Sequence, residues 1–228
     1  MILASAATIF FSALSVVSAA PAMKSYGCDV SDALLDLPAT HDLNIPEKAK
    51  VVYITLGVGT QNYTCTAAGN YTSAGAVAEL IDTSCIYEYH QKLFDELPDR
   101  VYNKIGMYSH QLPSLHKIEA IFGYYPHMLG KHYFTSQNGA IAPVFDFRTS
   151  KKGDENAFTI DKRVGGIPSP DGKKNIDWLQ LESTAGGLAK YTFRVDTKGG
   201  VAPKSCHKEG HTITVPYTAM YWFFNDDY

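Results

Sequence analysis

The chain has 228 residues, with 20 Lys and Arg against 23 Asp and Glu, and its formal net charge is -3 at pH 7. A chain so close to neutral carries no global basic field of the kind that binds nucleic acid or an anionic membrane surface. Aromatic residues are abundant, with 15 Tyr, 11 Phe and 2 Trp, and such side chains fill a β-protein core, line a ligand pocket or form a platform for sugars.

The first 19 residues have the pattern of a signal peptide. An apolar run covers residues 6–17, and small residues suited to cleavage, Ser18, Ala19 and Ala20, follow it. No later segment reaches the roughly 18 apolar residues of a membrane-spanning helix. We therefore expect residues 1–19 to be removed and residues 20–228 to form a single secreted β domain without a membrane span.

Four cysteines follow the predicted cleavage site: Cys28, Cys65, Cys85 and Cys206. An even number of cysteines in an exported chain predicts two disulfides, in one of three connectivities. Their spacing is not that of a zinc site, and we expect no bound metal.

The first part of the mature chain, residues 24–46, contains two prolines and only a weak apolar pattern. We predict an N-terminal arm with one helical turn near residues 33–37, held down by Cys28. Residues 51–65 are rich in β-branched and aromatic types and predict a strand. Gly57 and Gly59 lie within that strand and predict a bulge.

Two N-x-T sequences begin at Asn62 and Asn70. Within a strand, Asn62 faces away from Cys65, so Asn62 is expected to point to solvent while Cys65 points into the protein. Asn70 lies in a loop of small residues, 67–75, which suits an exposed connection. We therefore predict that both asparagines carry glycans.

A dinucleotide-binding alternative exists for the same region. The pair Gly57 and Gly59 follows an apolar strand, and Asp82 comes about twenty residues later, as in a G-x-G-x-x-G fingerprint. However, Asn62 occupies the third glycine position, and the following residues are typical of strand and turn instead of a helix that opens at a pyrophosphate. We expect no nucleotide and no other cofactor.

Residues 86–130 have a different pattern of apolar residues from the rest of the chain. Residues 87–97 have an apolar period near 3.6 and are followed by Pro98, which predicts a helix that ends there. Residues 113–122 repeat the pattern, whereas residues 76–82, just before this region, fit a strand or a helix. We predict a helical insertion that serves either as a fixed cover over one opening of the β scaffold or as a mobile gate over a pocket.

From His132 onward the sequence alternates between strand-like runs and glycine-rich turns. The runs cover residues 132–135, 144–147, 157–160, 176–181, 190–195 and 212–224. Pro216 interrupts the last run and predicts a sheet edge or a bulge. The fold expected is mainly β, an antiparallel β-barrel or two-sheet β-sandwich of roughly eight strands, with a small helical insertion at about 86–130.

Six sequence motifs between residues 50 and 224 carry a family resemblance. They cover residues 56–65, 130–134, 143–147, 175–181, 194–203 and 215–224, and Cys206 lies between the last two. In content and order they resemble the DUF3455 family of secreted fungal and bacterial proteins. The resemblance implies no established biochemical activity. Some members carry a "malate dehydrogenase" label, which the broken glycine pattern and the export signal do not support.

The resemblance also bears on the disulfides. It implies a bridge between Cys65 and Cys206, which leaves Cys28 to pair with Cys85. A bridge that closes a loop of about 140 residues contributes a few kcal/mol on the chain-entropy model.

The sequence contains three candidate sites for chemistry. His132 would act as a general base if Asp146 or Asp177 oriented it, but a core histidine bonded to the backbone is the favoured interpretation. Asp177 lies beside Trp178 and five residues before Glu182, which places the two carboxylates on opposite faces of a strand and argues against a glycosidase pair.

The third candidate is the pair His207 and His211, whose spacing suits two metal ligands on a helix. The polar residues between them indicate a solvated loop. No G-x-S-x-G, H-E-x-x-H or P-loop sequence occurs.

We therefore predict a secreted, glycosylated, non-catalytic protein of the fungal extracellular space or cell wall. It would bind a small apolar ligand or a carbohydrate through a surface that contains Tyr133, Trp178, Tyr217 and Trp222. The alternatives are a secreted hydrolase or isomerase that uses His132 with Asp146 or Asp177, and a structural or host-interaction protein without a pocket. The sequence does not indicate an oligomeric state.

Overall fold

The structure is a computed structural model that describes residues 27–39, 42–105, 127–137 and 139–226. Its elements are β1 (Ala49–Cys65), β2 (Tyr71–Asp82), α1 (Ser84–Tyr89), α2 (Gln91–Ile105), β3 (Met128–Gln137), β4 (Ala140–Asp146), β5 (Phe158–Ile167), β6 (Trp178–Gly186), β7 (Tyr191–Gly199) and β8 (Thr212–Asp226). Within these ranges, no helix combines the length and the apolar character needed to cross a membrane.

The eight strands form a closed antiparallel barrel in which each strand pairs with the next along the chain. The barrel closes where β8 pairs with β1, from Ala49 opposite Asp226 to Thr64 opposite Thr212. The prediction of a mainly β fold is confirmed, and of its two architectures the structure is the barrel. Closure gives every strand two neighbours and so removes the free edges of an open sheet.

Strand β8 is apolar on both faces because both faces are buried. Tyr217, Tyr221 and Phe223 point into the barrel and pack with residues of the neighbouring strands. Trp222 and Phe224 point outward. The outward residues belong to a second core between the barrel wall, the N-terminal arm and the helices, which we call the outer cluster; its largest members are Phe94, Trp178, Phe193, Met220, Trp222 and Phe224.

The helix predicted over residues 87–97 is divided between two helices, α1 and α2, with His90 between them, and it does not end at Pro98. Helix α2 continues through Pro98 to Ile105, although a proline inside a helix removes one backbone hydrogen bond. Phe94 and Val101, on either side of the proline, are buried in the outer cluster, and Thr218 Oγ1 on β8 donates to the Pro98 carbonyl at 2.8 Å. This packing offsets the local loss, while the helix predicted at 113–122 lies outside the described residues.

The N-terminal arm is irregular in its described parts, so the predicted helical turn near residues 33–37 is wrong. Its backbone bonds to other elements instead: Leu34 N donates to Tyr87 Oη at 3.0 Å. Val30 and Leu43 are buried in the outer cluster. The conformation of the arm is therefore fixed by tertiary contacts and by the Cys28–Cys85 disulfide. Local sequence preference does not predict such contacts. Residues 76–82, which fitted either type of element, are part of β2.

The glycines of β1 do not form the predicted bulge. Gly57 and Gly59 pair in continuous register with β2 and β8, and the β1–β2 irregularity falls after Asn62 instead. The reason for glycine is space: a Cβ at Gly57 would lie 2.4 Å from Cε2 of Tyr221, and one at Gly59 would lie 2.0 Å from the Val77 carbonyl oxygen. The glycines leave room for the Tyr221 ring of β8 and for the backbone of β2, the two strands that neighbour β1.

Pro216 pairs with Thr60 in β1. On its other side, the pairing of β8 with β7 ends at Tyr217 opposite Gly199. Pro216 therefore lies where β8 extends beyond β7. At such a local edge the missing N–H of proline removes no hydrogen bond between paired strands.

Candidate functional site at the open end of the barrel

One end of the barrel is filled by side chains. The Tyr53 ring meets Phe147 edge-on with centroids 5.2 Å apart, and Phe223 lies 6.5 Å away. Lys151 Nζ lies 5.0 Å from the centroid of the Tyr53 ring on the same side. The opposite end is hollow and contains a cavity of about 990 Å³.

We call this cavity the mouth. Its strand-borne lining includes Gln61, Tyr63, Phe134, Arg163, Leu179 and Arg194, together with Tyr71 and Ser73 of β2. Its loop-borne lining comes from Asn70, from seven residues between 168 and 177, and from residues 201–204. Phe134, Leu179 and Tyr63 supply apolar surface. Tyr63 Oη donates to the Gly200 carbonyl at 2.7 Å, which ties this wall to the loop above β7.

A disulfide holds that loop in place. Cys65, at the end of β1, is bonded to Cys206, and Cys206 N donates to the Gly69 carbonyl at 2.8 Å. The turn into the loop needs glycine at position 200, because its φ is +84° and a Cβ would lie 2.9 Å from Ile176 Cγ2. Residues 201–204 are thereby fixed as one rim of the mouth.

The mouth is positively charged although the whole protein is not. Its lining contains four cations, Arg163, Lys173, Arg194 and Lys204, and one carboxylate, Asp177. Arg194 Nε and Nη2 donate to the main-chain carbonyl of Asp177 at 3.1 and 2.8 Å. Since that acceptor is an uncharged carbonyl, the contact orients the guanidinium without neutralising it. Such a cavity attracts anions.

One buried polar side chain of the mouth has a hydrogen-bonding atom without a partner among the described residues: Ser169 is 8% exposed, and its Oγ is not bonded. A buried polar group without a partner costs free energy. The Gln61 side chain, which is 6% exposed, interacts with the Tyr217 hydroxyl below the mouth.

A pair of tyrosines lies beneath the mouth. Tyr217 Oη and Tyr221 Oη are 2.9 Å apart, and Tyr221 pairs with Arg194 in the β7–β8 ladder. Burial raises the pKa of Tyr217 and of Tyr221 above their ordinary value. Both phenols therefore stay protonated at physiological pH and supply neutral polar groups at the floor.

His132 lies inside the barrel and is 4% exposed. Its Nδ1 is 2.9 Å from the Val144 carbonyl, and because a carbonyl only accepts, the proton is assigned to Nδ1. The ring stacks on Phe145 with centroids 4.5 Å apart. Burial lowers the pKa of His132 to about 4, so the imidazole is neutral at physiological pH.

The structure does not bring His132 together with Asp146 or Asp177. Asp146 pairs with Lys131, the residue next to His132, and therefore points to the other face of the wall. There its carboxylate accepts from Arg148 Nε at 2.9 Å, a contact that lowers the pKa of Asp146, and from Tyr133 Oη at 3.2 Å. Asp177 lines the mouth. The favoured interpretation of His132, a core histidine bonded to the backbone, describes its environment.

The four aromatic residues predicted to form a ligand surface do not share one. Trp178 and Trp222 are 7% and 2% exposed and belong to the outer cluster. Tyr217 is fully buried below the mouth, and Tyr133 lies on the outer wall beside Asp146. The physical reason is that the outer face of the barrel is itself covered by the arm and helices, so aromatic residues there serve as core.

The remaining candidates lie on the surface. His207 and His211 are exposed in the loop between β7 and β8, and nowhere in the described ranges does a group of three or more His, Cys, Asp or Glu residues suit a metal ion. Glu182 forms an ion pair with Lys162 at 3.0 Å, away from Asp177 at the mouth.

The two glycan acceptors lie in different places. Asn62 follows the inward-facing Gln61 and so faces outward from β1, while Asn70 is exposed in the β1–β2 turn at the rim of the mouth.

The residues that sequence analysis missed are the cations and amide of the mouth. Arg194 is the clearest case: Tyr191, Phe193 and Val195 form the apolar face of β7, and that face belongs to the outer cluster. The polar face, which includes Arg194, is the one inside the barrel. The only signal in the sequence is the alternation that gives β7 a polar face and an apolar face. Alternation does not indicate which of these faces the barrel encloses.

Comparison with known proteins adds a family and no activity. The family model described as "Protein of unknown function (DUF3455)" matches residues 46–225, which extend from just before β1 to the end of β8. Neither the curated proteins nor the solved structures contain a match to the chain. Because the matched region covers most of the sequence, including the whole lining of the mouth, the chain belongs to the DUF3455 family.

Proposed function

We propose that this protein is a secreted, glycosylated binding protein whose mouth takes a small organic anion with an apolar or aromatic body. The observation that carries the proposal is the convergence of Arg163, Lys173, Arg194 and Lys204 on one cavity whose lining contains a single carboxylate. Between the two ligand classes expected from the sequence, this charge favours an apolar molecule that bears a carboxylate, sulfonate or phosphate group.

The polar groups of the mouth support the same ligand. Arg194 retains N–H groups beyond those bound to the Asp177 carbonyl. Charge-assisted hydrogen bonds from such groups to an anion are about twice as strong as neutral ones. Phe134 and Leu179 provide the apolar contact.

Binding is favoured over the hydrolase or isomerase alternative because His132 is buried, neutral and bonded to a main-chain carbonyl. Export is supported by the signal-peptide pattern and by two disulfides, which are compatible with an extracellular protein. Glycosylation is supported by the exposed Asn70 and the outward-facing Asn62.

The test compares two fluorescent probes that differ in charge. 8-Anilinonaphthalene-1-sulfonate carries a sulfonate, and N-phenyl-1-naphthylamine has the same rings without it. We expect the purified protein to bind the sulfonate more tightly, with an affinity that falls as salt is added. Arg194→Gln should weaken sulfonate binding about tenfold or more.

Lys152→Gln is the matched control, because it removes one positive charge from an exposed loop at the filled end of the barrel. Its affinity for the sulfonate should equal that of the wild type. Equal binding of the two probes, or an Arg194→Gln protein that binds the sulfonate as the wild type does, would refute the proposal.

A further inference from the structure

A second cavity adjoins the mouth where β8 extends beyond β7. The β7–β8 ladder ends at Tyr217 opposite Gly199, although β8 begins at Thr212. After Gly199 the chain enters residues 201–204, which we call the rim loop, on its way to the Cys65–Cys206 disulfide. Between the rim loop and β8 lies a cavity of about 720 Å³, which we call the rim groove. Its volume is in the range of pockets that hold small molecules.

The rim groove has a mainly apolar lining. The residues that supply its apolar surface are Tyr71, Val201, Pro203, Ile213, Val215 and Pro216. Its other polar side chains are those of His211, Thr212 and Thr214, and no described residue of the lining is Lys, Arg, Asp or Glu. Since the lining of the mouth contains four cations, charge and apolar surface lie in two neighbouring compartments at this end of the barrel.

The two compartments are one strand apart. Val215 in the rim groove pairs with Gln61 in the mouth. In the same ladder, Ile213 pairs with Tyr63, which also lines the mouth. Residues directly opposite each other on paired strands are about 5 Å apart. Residues 201–203 line both cavities, so a single ligand of moderate length can contact both.

Val201 lies at the boundary between the compartments. It is 42% exposed and belongs to both linings. An apolar chain that extends from the mouth into the rim groove covers Val201, and removing this surface from water is favourable. A flexible chain can follow the rim loop from one cavity into the next, whereas a compact ring system fills only one of them.

We infer that the ligand of the mouth is an alkyl-chain anion, whose charged group lies among the cations of the mouth and whose chain lies in the rim groove. This inference rests on the proposed function, because it identifies the apolar body of the same ligand. The charge separation between the two linings matches that of an amphiphile with one anionic end.

The test compares butanoate with decanoate, which have the same carboxylate and differ in chain length. Their affinities are measured by displacement of 8-anilinonaphthalene-1-sulfonate at pH 7.5. Each buried methylene increases affinity about fourfold. Because the rim groove is open and part of the chain stays in water, we expect the wild type to bind decanoate about a hundredfold more tightly than butanoate.

Ile213→Thr places a hydroxyl in the rim groove and keeps a β-branched side chain in the strand. It should lower the affinity for decanoate about fivefold or more and leave the affinity for butanoate unchanged. The matched control is Ile141→Thr, the same change at an exposed position of β4 outside both linings, and it should behave as the wild type. Val201→Thr makes the same test from the rim loop, without altering a strand.

Equal affinities of the wild type for butanoate and decanoate would overturn this inference and leave the proposed function standing, because both probes are anions. The inference also falls if decanoate does not displace the sulfonate, if Ile213→Thr and Ile141→Thr lose the same affinity, or if neither Ile213→Thr nor Val201→Thr loses any. Failure of the proposed function has a different signature: decan-1-ol, the uncharged counterpart, would bind as tightly as decanoate.

Discussion

Replacing Asp161 by Asn should stabilise this protein at neutral pH, although the residue is almost completely buried. The Asp161 side chain is 1% exposed, and burial raises its pKa from 3.8 to about 6. In the unfolded chain the carboxyl ionises near its ordinary pKa. Because the folded state holds the proton more tightly than the unfolded state, this group lowers the stability of the fold as pH rises from about 4 to about 6, and the loss persists above pH 6.

The size of the effect follows from the two pKa values. The difference between 3.8 and about 6 corresponds to about 3 kcal/mol at about 1.4 kcal/mol per unit. Asn has nearly the same shape, and its carbonyl oxygen accepts from the Thr159 hydroxyl as Asp161 Oδ1 does, but it carries no charge. The free energy of unfolding of Asp161→Asn should therefore equal that of the wild type near pH 3.5 and exceed it by about 3 kcal/mol at pH 7.5.

Urea unfolding at pH 3.5, 5 and 7.5, with the disulfides intact, measures this difference. Asp196, whose pKa is also raised to about 6 by burial, is present in both proteins, so its contribution cancels. Glu155→Gln, an exposed acid-to-amide change, should follow the wild type at every pH. Parallel curves for Asp161→Asn and the wild type, or a less stable variant at pH 7.5, would show that burial does not raise the pKa of this carboxyl.

Two further predictions concern the scaffold of the mouth. Gly57→Ala places a methyl group 2.4 Å from Cε2 of Tyr221 and should lower the free energy of unfolding by about 1–3 kcal/mol through overpacking. The control Gly187→Ala, whose methyl group would have its closest contact at 3.2 Å, should lower that free energy by less. Equal losses of stability in urea unfolding would contradict the packing explanation. Replacing Cys65 and Cys206 together by Ala removes a bridge across 141 residues and should lower the free energy of unfolding by about 3–5 kcal/mol. It should also weaken 8-anilinonaphthalene-1-sulfonate binding in a fluorescence titration, whereas replacing Cys28 and Cys85 of the N-terminal arm should not. The same loss of binding in both double variants would disprove the role of the Cys65–Cys206 bridge at the rim.

The strands were predictable because their signals are local. Runs such as Lys190 to Val195 alternate apolar and polar residues, and glycine-rich turns separate them. The family resemblance implied the disulfide pairing that the structure contains, Cys65 with Cys206 and Cys28 with Cys85. Where prediction failed, tertiary contacts had overridden local preference. Helix α2 contains Pro98 because the helix packs on β8, and the N-terminal arm is irregular because its contacts with other elements outweigh its weak helical pattern.

The mouth was not predictable because its residues come from separate parts of the chain. Arg163, Lys173, Arg194 and Lys204 belong to four segments that the pairing of β5, β6, β7 and β8 brings together. None of them lies in a known catalytic or ligand-binding motif, and their charges cancel in a net charge of -3. Alternation divides β7 into two faces, but it does not indicate which face the barrel encloses, so the pattern alone does not place Arg194 within the barrel.

The position of the main apolar core explains how the barrel can contain a binding cavity. Much of the large apolar surface, including Trp178, Trp222 and Phe224, is buried outside the barrel, between its wall and the arm and helices. The interior is therefore not the only source of hydrophobic stabilisation, and it can hold polar and charged groups. Arg194 at the mouth and Asp161, which is 1% exposed, are such groups, and residues that break the rules of core packing in this way are expected where a protein binds a ligand.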